Sequence, residues 1–339
     1  RDSVASRGLG DVYKRQHHHG CFCGFGVCFT RQRFWFLAGW SIDGHGRKDH
    51  PEGVDRAATS RISHRFRYRG VAFHLCLESE VHKIMCNWFD ISGRAALVTG
   101  SNRGLGLALA TGLAKAGARV TLQGRDATKV SQAAQQLSES LGVPVGHLVF
   151  DVTDAQEAER ALNDFMDSQG TLDILVNNAG IQRRHPITEF PTEEWDAVIS
   201  TNLSSVFYVT KPVAQRMVER GSGKVIMVGS VQSRLARQTI APYCASKGGV
   251  AMFAQGLAAD LSRYNIQVNT LSPGYFATEM NTDLWQDPQF DAWLKARTPA
   301  GRWGKFDELM GTLIYLSSEA SNFVTGQNIL VDGGMTSVV

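Results

Sequence analysis

Four polar side chains in the second half of the chain have the types and spacing required for proton transfer at a carbon–oxygen bond. Tyr243 and Lys247 are four residues apart, so they share one face if this segment is helical. Ser230 precedes Tyr243 by 13 residues, and Asn202 lies further upstream. A free tyrosine titrates near ~10, and an ammonium group one helical turn away is expected to lower that pKa and make the phenol a usable acid–base catalyst.

These residues suit an oxidation by hydride transfer, which requires a matching proton transfer at the substrate oxygen. We expect Tyr243 to transfer that proton and Ser230 to hold the oxygen while its charge changes. We expect Asn202 to position a water behind Lys247. A YxxxK spacing alone is common and usually marks an exposed helix face, so the interpretation depends on the other motifs of the chain.

The second feature is a glycine-rich turn, TGSNRGLG, at 99–106. It follows the apolar run AALVT and precedes the helical pattern LGLALATGLAKA, which is the context of a dinucleotide-binding turn. Glycines let the backbone turn tightly and approach a pyrophosphate, which binds at the N-terminus of the following helix. The residues expected to contact the cofactor here are Gly100, Ser101, Asn102, Arg103, Gly104, Leu105 and Gly106.

The end of the second predicted strand bears on the choice between NADP and NAD. An Asp or Glu there would bind the ribose 2′-hydroxyl of NAD, and the chain has Gln123-Gly124-Arg125 instead. Arg125 and Arg103 can face a 2′-phosphate, which favours NADP and leaves NAD as an alternative. They can equally be two solvated surface arginines. After the third and fourth strands, the expected cofactor contacts are Asp151, Val152, Asn178, Ala179 and Gly180.

These motifs lie in an alternation of short β-branched runs and longer amphipathic segments. Helix-length connections imply parallel strands, and right-handed crossovers put helices on both faces of one sheet. The predicted fold is therefore an α/β, single-domain Rossmann sheet, with ligands beyond the carboxyl ends of its strands. Strands are predicted at Ala95–Thr99, Arg119–Gln123, Gly146–Phe150, Ile174–Val176, Lys224–Val228, Gln267–Leu271 and Asn328–Val331. Helices are predicted at Leu105–Ala116, Ala127–Leu141, Ala155–Ser168, Trp195–Arg220, Pro242–Tyr264 and Phe306–Ser317.

Charge divides the chain into two parts. Residues 1–84 hold 14 Lys and Arg against 8 Asp and Glu, whereas residues 85–339 hold 21 against 24. Because the second part is mildly acidic, neither nucleic acid nor an anionic membrane is an expected partner. No uninterrupted apolar run reaches about 18 residues, so a membrane span is not expected either.

Residues 1–84 show no sustained helical or strand periodicity. A metal site at Cys21, Cys23 and Cys28, a basic nucleic-acid-binding arm and a targeting peptide are three interpretations, and each fits poorly. The first 16 residues, RDSVASRGLGDVYKRQ, read like a translated sequencing adapter. We therefore expect 1–84 to be a non-native or disordered leader, Met85 to be the start, and 85–339 to be the folded domain. No metal site is expected.

The chain resembles the short-chain dehydrogenase/reductase family over essentially all of 85–339. The resemblance rests on TGSNRGLG, NNAG at 177–180, Asn202, Ser230, Tyr243, Lys247 and Pro273-Gly274. It implies a seven-stranded Rossmann sheet of order 3-2-1-4-5-6-7, a homotetramer, and an NADP- or NAD-dependent enzyme that acts on a CH–OH group. It also implies that Tyr243, Lys247, Pro273, Gly274, Phe276 and Thr278 contact the cofactor.

A narrower resemblance, to the gluconate 5-dehydrogenases within that family, rests on four segments: 177–195, 241–248, 265–280 and 297–304. It implies interconversion of D-gluconate and 5-dehydro-D-gluconate. Such a substrate needs a cation for its carboxylate and neutral donors for its hydroxyls. Candidates are Arg183, Arg184, His185, Ser230, Gln232, Arg234, Arg237, Tyr243 and Tyr275. The segment Tyr275–Trp293 is expected to form a lid.

Two other kinds of function stay open. One is a short-chain reductase acting on a different sugar acid, a polyol or a 3-oxoacyl thioester. The other is a cofactor-binding sensor without catalysis. Only Cys86 and Cys244 follow residue 84, and the leader lacks a convincing signal peptide, so we expect a reducing, cytoplasmic location.

Overall fold

A sheet of seven parallel strands lies at the centre of the computed structural model, which describes residues 88–277 and 282–339. The strands are β1 (Ala95–Val98), β2 (Arg119–Gly124), β3 (Gly146–Val149), β4 (Ile174–Asn177), β5 (Gly223–Val228), β6 (Ile266–Pro273) and β7 (Asn328–Val331). Their order across the sheet is β3-β2-β1-β4-β5-β6-β7. The α/β Rossmann fold and its strand order are therefore confirmed.

Helices connect the strands and cover both faces of the sheet. They are α1 (Gly104–Lys115), α2 (Ala127–Leu141), α3 (Ala155–Gln169), α4 (Thr192–Ile199), α5 (Ser205–Arg220), α6 (Ala241–Leu261), α7 (Thr282–Trp285), α8 (Pro288–Arg297) and α9 (Asp307–Ser317). Short 3₁₀ turns occur at Ile187–Glu189, Val231–Ser233, Ser262–Tyr264, Glu319–Ser321 and Met335–Ser337. A π-helical turn, Ser200–Ser204, joins α4 to α5.

Two buried clusters, one on each face of the sheet, follow from the alternation of side chains along the strands. In β1, Ala96 and Val98 join the first cluster and Leu97 joins the second. Helices α1, α2 and α9 contribute to the first cluster, whereas α3, α5 and α6 contribute to the second. Successive side chains of a strand point to opposite faces, so a strand covered on both faces is apolar at nearly every position.

The strand order reverses beside β1, which pairs with β2 on one side and with β4 on the other. The chain runs outward from β1 to β3 and then returns to β4. Loops leaving β1 and β4 therefore diverge and open a crevice at the carboxyl edge of the sheet, where ligands of such sheets bind. The glycine turn and the NNAG segment directly follow these two strands.

The seven predicted strands are confirmed, each within two residues of its predicted ends. The prediction of one continuous helix over Trp195–Arg220 is wrong, because the helix begins at Thr192 and the π-helical turn interrupts it. Such turns add a residue to the helical repeat and often occur at functional sites. Helices α7 and α8 were not predicted, although Asp287 caps α8 and Pro288 occupies its first turn.

Several predictions concern residues outside the described ranges. The leader at 1–84, the start at Met85 and the cofactor contact at Thr278 belong to this group and stay predictions. Within 88–277 and 282–339, no helix combines the length and apolarity needed to cross a bilayer. The same ranges contain no cluster of three or more His, Cys, Asp or Glu side chains arranged to hold a metal ion.

Candidate active site

The glycine turn after β1 packs so closely against the loop after β4 that two of its positions exclude a side chain. Gly100 has φ +59, and a Cβ there would lie 2.9 Å from the Cα of Ala179. A Cβ on Gly106 would lie 2.4 Å from the carbonyl oxygen of Gly100 and 2.5 Å from Asn178 Nδ2. Both positions therefore require glycine, the first also because of its left-handed backbone.

Hydrogen bonds from the predicted NNAG segment join the two loops. The hydroxyl of Thr99 accepts the backbone N–H groups of Asn178 (2.9 Å) and Ala179 (3.1 Å). Asn178 Nδ2 donates in turn to the carbonyl oxygens of Thr99 (2.9 Å) and Gly100 (3.1 Å). The structure thus brings the predicted cofactor residues of β1 and β4 together at the reversal of strand order.

The end of β2 supports the same turn from the other side. Gln123 is buried, its Oε1 accepts the backbone N–H of Gly100 (3.0 Å), and its Nε2 donates to the carbonyl oxygen of Phe150 (2.6 Å). The hydroxyl of Ser101 is also buried and donates to the carbonyl oxygen of Val98 (2.7 Å). Ser101 therefore stabilises the turn with its side chain, and we expect only its backbone to reach a cofactor.

The first turn of α1 has the properties of an anion-binding site. Arg103 occupies the N-cap position without a side-chain capping hydrogen bond, and the residues described for this turn include no Asp or Glu. The first N–H groups of the helix have no intrahelical acceptor, and they lie at the positive end of its dipole. Together with the glycine positions, this turn fits the pyrophosphate of a dinucleotide.

The arginine predicted to face a 2′-phosphate lies at the ends of β2 and β3. The guanidinium of Arg125 is 4.0 Å from the carboxylate of Asp151, and its side chain is 82% exposed. Asp151 Oδ1 also accepts the N–H and the hydroxyl of Thr153, at 2.8 and 2.7 Å. The structure therefore places two predicted cofactor residues beside each other at the carboxyl edge, with Arg125 accessible to solvent.

Two predicted cofactor contacts have side chains that belong to the core. Val152 packs in the second cluster, and Phe276 packs in the first, where its ring lies against Gly304. We therefore expect only their backbone atoms to reach a cofactor. Pro273 ends β6, and the N–H of Gly274 donates to the carbonyl oxygen of Val331 (2.9 Å) at the edge of the site.

Tyr243 and Lys247 lie one turn apart in α6, as their spacing predicts. Lys247 Nζ is 5.8 Å from the centroid of the Tyr243 ring and donates to the carbonyl oxygen of Val228 (2.7 Å), the last residue of β5. Ser230 follows the end of β5 by two residues, where a strand-ending position was predicted, and its side chain is close enough to Tyr243 to lower the pKa of the phenol. Three of the four predicted catalytic residues thus lie together where β5 meets α6.

Burial dominates the titration of this pair. It raises the pKa of Tyr243 to about 12, against a smaller lowering by the hydrogen bond with Ser230. Burial also lowers the pKa of Lys247 to about 8. The expectation that Lys247 lowers the pKa of Tyr243 is therefore wrong in this structure, because desolvation favours the neutral form of each group and Nζ bonds to a carbonyl.

Asn202 lies in the π-helical turn and is fully buried. Its Oδ1 accepts the N–H of Ile181 (2.8 Å), and its Nδ2 donates to the carbonyl oxygen of Ile181 (2.9 Å) and to Ser246 Oγ (3.1 Å). It therefore connects the loop after β4 to α6 beside Lys247. Its predicted role in positioning a water stays a prediction.

The predicted substrate loop after β4 contacts a carboxylate of α4. Glu194 Oε2 lies 2.9 Å from His185 Nε2 and 3.8 Å from Arg183 Nε. Arg184 donates to the side-chain oxygen of Gln182 at 3.0 Å. Two of the three predicted cationic groups of this loop therefore already have a carboxylate neighbour.

Another predicted substrate surface is formed by the segments after β5 and β6. Gln232 is buried two residues after Ser230, and its Nε2 donates to the hydroxyl of Tyr275 (3.4 Å). The Tyr275 ring packs against Phe290 on α8 (5.7 Å between centroids) and against Trp303 (5.9 Å). The Arg237 guanidinium lies over the Phe290 ring, 4.6 Å from its centroid. Helix α8, which begins within the predicted lid segment, therefore packs through Phe290 against Tyr275, whose hydroxyl accepts a hydrogen bond from Gln232.

Comparison with known proteins identifies the family. The family model described as "Enoyl-(Acyl carrier protein) reductase" matches residues 100–336. The gluconate 5-dehydrogenase of Gluconobacter oxydans (strain 621H) is 50% identical over 248 residues, which are 73% of this chain and 96% of that relative. This chain belongs to the short-chain dehydrogenase/reductase family.

Two further comparisons agree with this assignment. The 5-keto-D-gluconate 5-reductase of Escherichia coli (strain K12) is 48% identical over 251 residues, which are 74% of this chain and 98% of that relative. The crystal structure of a gluconate 5-dehydrogenase from Burkholderia cenocepacia J2315, in complex with NADP and tartrate, has 50% identity and a TM-score of 0.74. The aligned region covers 75% of this chain and 100% of the crystallised chain. This short-chain dehydrogenase/reductase is thus an oxidoreductase, similar to enzymes named for gluconate.

Sequence reasoning missed residues of this short-chain dehydrogenase/reductase that support the site through hydrogen bonds. They are Thr99, Gln123, Glu194 and Ser246. The sequence did indicate a role for Gln123, since it is a polar residue inside the buried strand RVTLQG. Glu194 gave no signal, because its partnership with His185 depends on how the loop folds back onto α4.

Proposed function

We propose that this short-chain dehydrogenase/reductase interconverts D-gluconate and 5-dehydro-D-gluconate with NADP(H). The observation that carries the proposal is the meeting of Ser230, Tyr243 and Lys247 at the carboxyl edge, beside the turn that fits a pyrophosphate. Relatives of about half-identical sequence are named for this reaction. The NNAG segment, Asn202 and the cationic loop at 183–185 support it.

In the proposed mechanism, Tyr243 exchanges a proton with the substrate oxygen. A phenol with a pKa of about 12 is protonated near neutral pH, so it is ready to donate to a ketone oxygen. Ser230 holds the same oxygen through a hydrogen bond. Once Tyr243 has donated its proton, the Lys247 ammonium, which is mostly protonated near neutral pH with a pKa of about 8, can return a proton to the phenolate, and solvent would reprotonate the amine. The bound nicotinamide supplies the hydride chemistry at the adjoining carbon.

NADP is the proposed cofactor, with NAD as a weaker alternative. Gln123 occupies the end of β2, where an acidic side chain would bind the 2′-hydroxyl of NAD, and the exposed Arg125 is close by. The similar enzyme from B. cenocepacia was crystallised with NADP. Gly100, Gly104 and Gly106 would hold the pyrophosphate, and Asn178 and Lys247 would lie toward the nicotinamide half.

Initial rates with the full chain test this function directly. We expect NADP-dependent oxidation of D-gluconate and NADPH-dependent reduction of 5-dehydro-D-gluconate, with a lower kcat/KM for the NAD couple. A parallel panel contains another sugar acid, a neutral polyol and a 3-oxoacyl thioester. Turnover of one of these without turnover of gluconate contradicts the substrate assignment, and absence of turnover on every substrate favours a non-catalytic sensor.

We also propose that the chain forms a homotetramer in a reducing, cytoplasmic compartment. Support for assembly comes from apolar side chains exposed on neighbouring helices, Phe207 on α5 (49% exposed) and Met252 on α6 (65% exposed). Light scattering after size-exclusion chromatography measures the assembly, and a monomer contradicts it. Cell fractionation tests the location, which the small number of cysteines after residue 84 favours.

A further inference from the structure

We propose that Arg237, seated on the ring of Phe290, is the group that binds the substrate carboxylate and makes the enzyme specific for sugar acids. The inference rests on the proposed function and names the specificity residue of that site. Arg237 lies in the segment between the 3₁₀ turn Val231–Ser233 and α6, which carries Tyr243. This segment therefore runs between two residues assigned to the chemistry.

A continuous series of contacts connects Arg237 to the catalytic residues. Ser230 Oγ accepts the N–H of Gln232 (3.2 Å), and Gln232 Nε2 donates to the hydroxyl of Tyr275. Tyr275 packs on Phe290, and Phe290 carries the Arg237 guanidinium. A sugar acid that reacts beside Ser230 would extend its carboxyl end along this wall toward the guanidinium.

The other arginines of the region are less suited to this role. Arg183 shares the carboxylate of Glu194 with His185, so its charge is already compensated. Arg184 is engaged by Gln182 of its own loop. Arg234 is exposed to solvent, where a contact with a carboxylate is screened. Among the residues described, no Asp or Glu forms an ion pair with Arg237, which is half-buried.

The contact with Phe290 prepares the guanidinium for a carboxylate. An arginine on an aromatic face keeps its charge and loses part of its hydration, and its N–H groups point outward from the ring edge in the plane of the guanidinium. A carboxylate can accept two parallel hydrogen bonds from that edge. Neutral hydroxyls gain less from the same group, so Arg237 would distinguish a sugar acid from a polyol.

The test compares D-gluconate with D-glucitol, which has the same carbon number and a neutral terminal hydroxyl instead of the carboxylate. In Arg237→Gln we expect the KM for D-gluconate to rise about 10- to 100-fold, with kcat changed less than threefold, because a carboxylate contact is made equally in the ground and transition states. The kcat/KM for D-glucitol, measured at high substrate concentration because the wild type should use this polyol poorly, and the Kd of NADPH should each stay within about twofold of wild type. Arg263→Gln is the matched control, because this guanidinium also lies over an aromatic ring, 4.8 Å from the centroid of Tyr264, and it should leave all four quantities unchanged.

A merely structural role for Arg237 gives a different pattern. If Arg237 only anchors α8, then Arg237→Gln and Phe290→Leu both lower kcat/KM equally for D-gluconate and D-glucitol, and this result overturns the proposal. Under the proposal, Phe290→Leu keeps the cation and raises the KM for D-gluconate by only a few fold. A selective loss of D-gluconate in Arg184→Gln, with none in Arg237→Gln, also overturns it.

Calorimetry of D-gluconate with the enzyme–NADPH complex separates this inference from the proposed function. Wild-type binding that weakens about 10- to 100-fold in Arg237→Gln supports the inference even if turnover of gluconate fails, in which case only the proposed reaction is wrong. Wild-type protein that neither binds nor converts D-gluconate overturns both.

Discussion

Two buried lysines lie at opposite ends of β5, and only one belongs to the site. Lys224, near the amino end of the strand, donates to Ser321 Oγ (3.2 Å) and Asn322 Oδ1 (2.8 Å). Lys247 donates to the carbonyl oxygen of Val228 at the carboxyl end. Burial lowers the pKa of each to about 8, in Lys224 against a raising influence of Glu319. A perturbed pKa therefore does not by itself identify a catalytic group.

The surroundings of the two lysines make the difference. The ammonium of Lys224 has two oxygen partners from the segment that includes Ser321 and lies close to Glu319, which suits a structural contact. Lys247 lies beside the Tyr243 phenol, whose own pKa is raised. It also lies near Asn202, whose side chain joins Ile181 in the loop after β4 to Ser246 on α6. Two adjacent groups whose pKa values are shifted in opposite directions, at the carboxyl end of a strand, are a better indication of a catalytic site than one shifted pKa.

Backbone strain also differs between the carboxyl edge of the sheet, where the candidate site lies, and its amino edge. Among the described residues with side chains, Thr239 (φ +71) and Asn265 (φ +58) have left-handed backbones. Thr239 is β-branched, and its carbonyl oxygen accepts the N–H of His185 at the site. Asn265 precedes β6 at the amino edge, and asparagine tolerates this region. The costly conformation therefore occurs where its carbonyl oxygen contacts the predicted substrate loop.

The largest expected effect separates the two lysines by activity. Lys247→Met should lower kcat by about 10²- to 10⁴-fold, because it removes the ammonium next to the phenol that we propose transfers the proton. Lys224→Met should leave kcat within about threefold, because its partners lie at the opposite edge of the sheet. Steady-state rates of both variants, with circular dichroism as the folding control, measure the difference. Equal losses of kcat in the two variants would contradict a catalytic role that belongs to Lys247 alone.

The two lysines should contribute similarly to the pH dependence of the free energy of unfolding. Their folded pKa values lie below the unfolded value, so between about pH 8 and 10.5 the unfolded chain binds more protons than the folded one. The free energy of unfolding should therefore rise with pH in this window, by at most about 1.4 kcal/mol per pH unit for each lysine. Chemical denaturation of wild type, Lys224→Met and Lys247→Met tests this. Each variant should lose part of the slope, and an unchanged slope in either contradicts the burial effect.

Features of the site that depend on local sequence could be predicted, whereas those that depend on long-range contacts could not. The strands, the glycine turn and the Tyr243–Lys247 spacing follow from local pattern, since each depends on residues close together in the chain. The π-helical turn at Asn202 could not be predicted, because its hydrogen bonds reach Ile181 and Ser246 on other elements. The direction of the Tyr243 pKa was also missed, since it depends on burial within the folded chain. Long-range contacts account for both failures.

The smallest expected effect concerns the two strained positions. Thr239→Gly should raise the free energy of unfolding by about 1 kcal/mol, since glycine relieves the left-handed strain at some cost in unfolded-state entropy. Asn265→Gly is the matched control and should change it by less than about 0.5 kcal/mol. Denaturant titrations measure both. A lower free energy of unfolding in Thr239→Gly would show that contacts of the threonine side chain stabilise the fold by more than the left-handed backbone destabilises it.

The proposed role of Tyr243 is tested by the single-turnover and steady-state rates of Tyr243→Phe with D-gluconate and NADP. The variant keeps the ring and its packing and removes only the hydroxyl that is assigned to proton transfer. We expect kcat to fall by at least about 10²-fold, while the dissociation constant of NADPH, measured by fluorescence titration, stays within about threefold of wild type. A variant that turns over gluconate at a rate close to that of wild type would contradict the assignment of Tyr243 and the mechanism built on it.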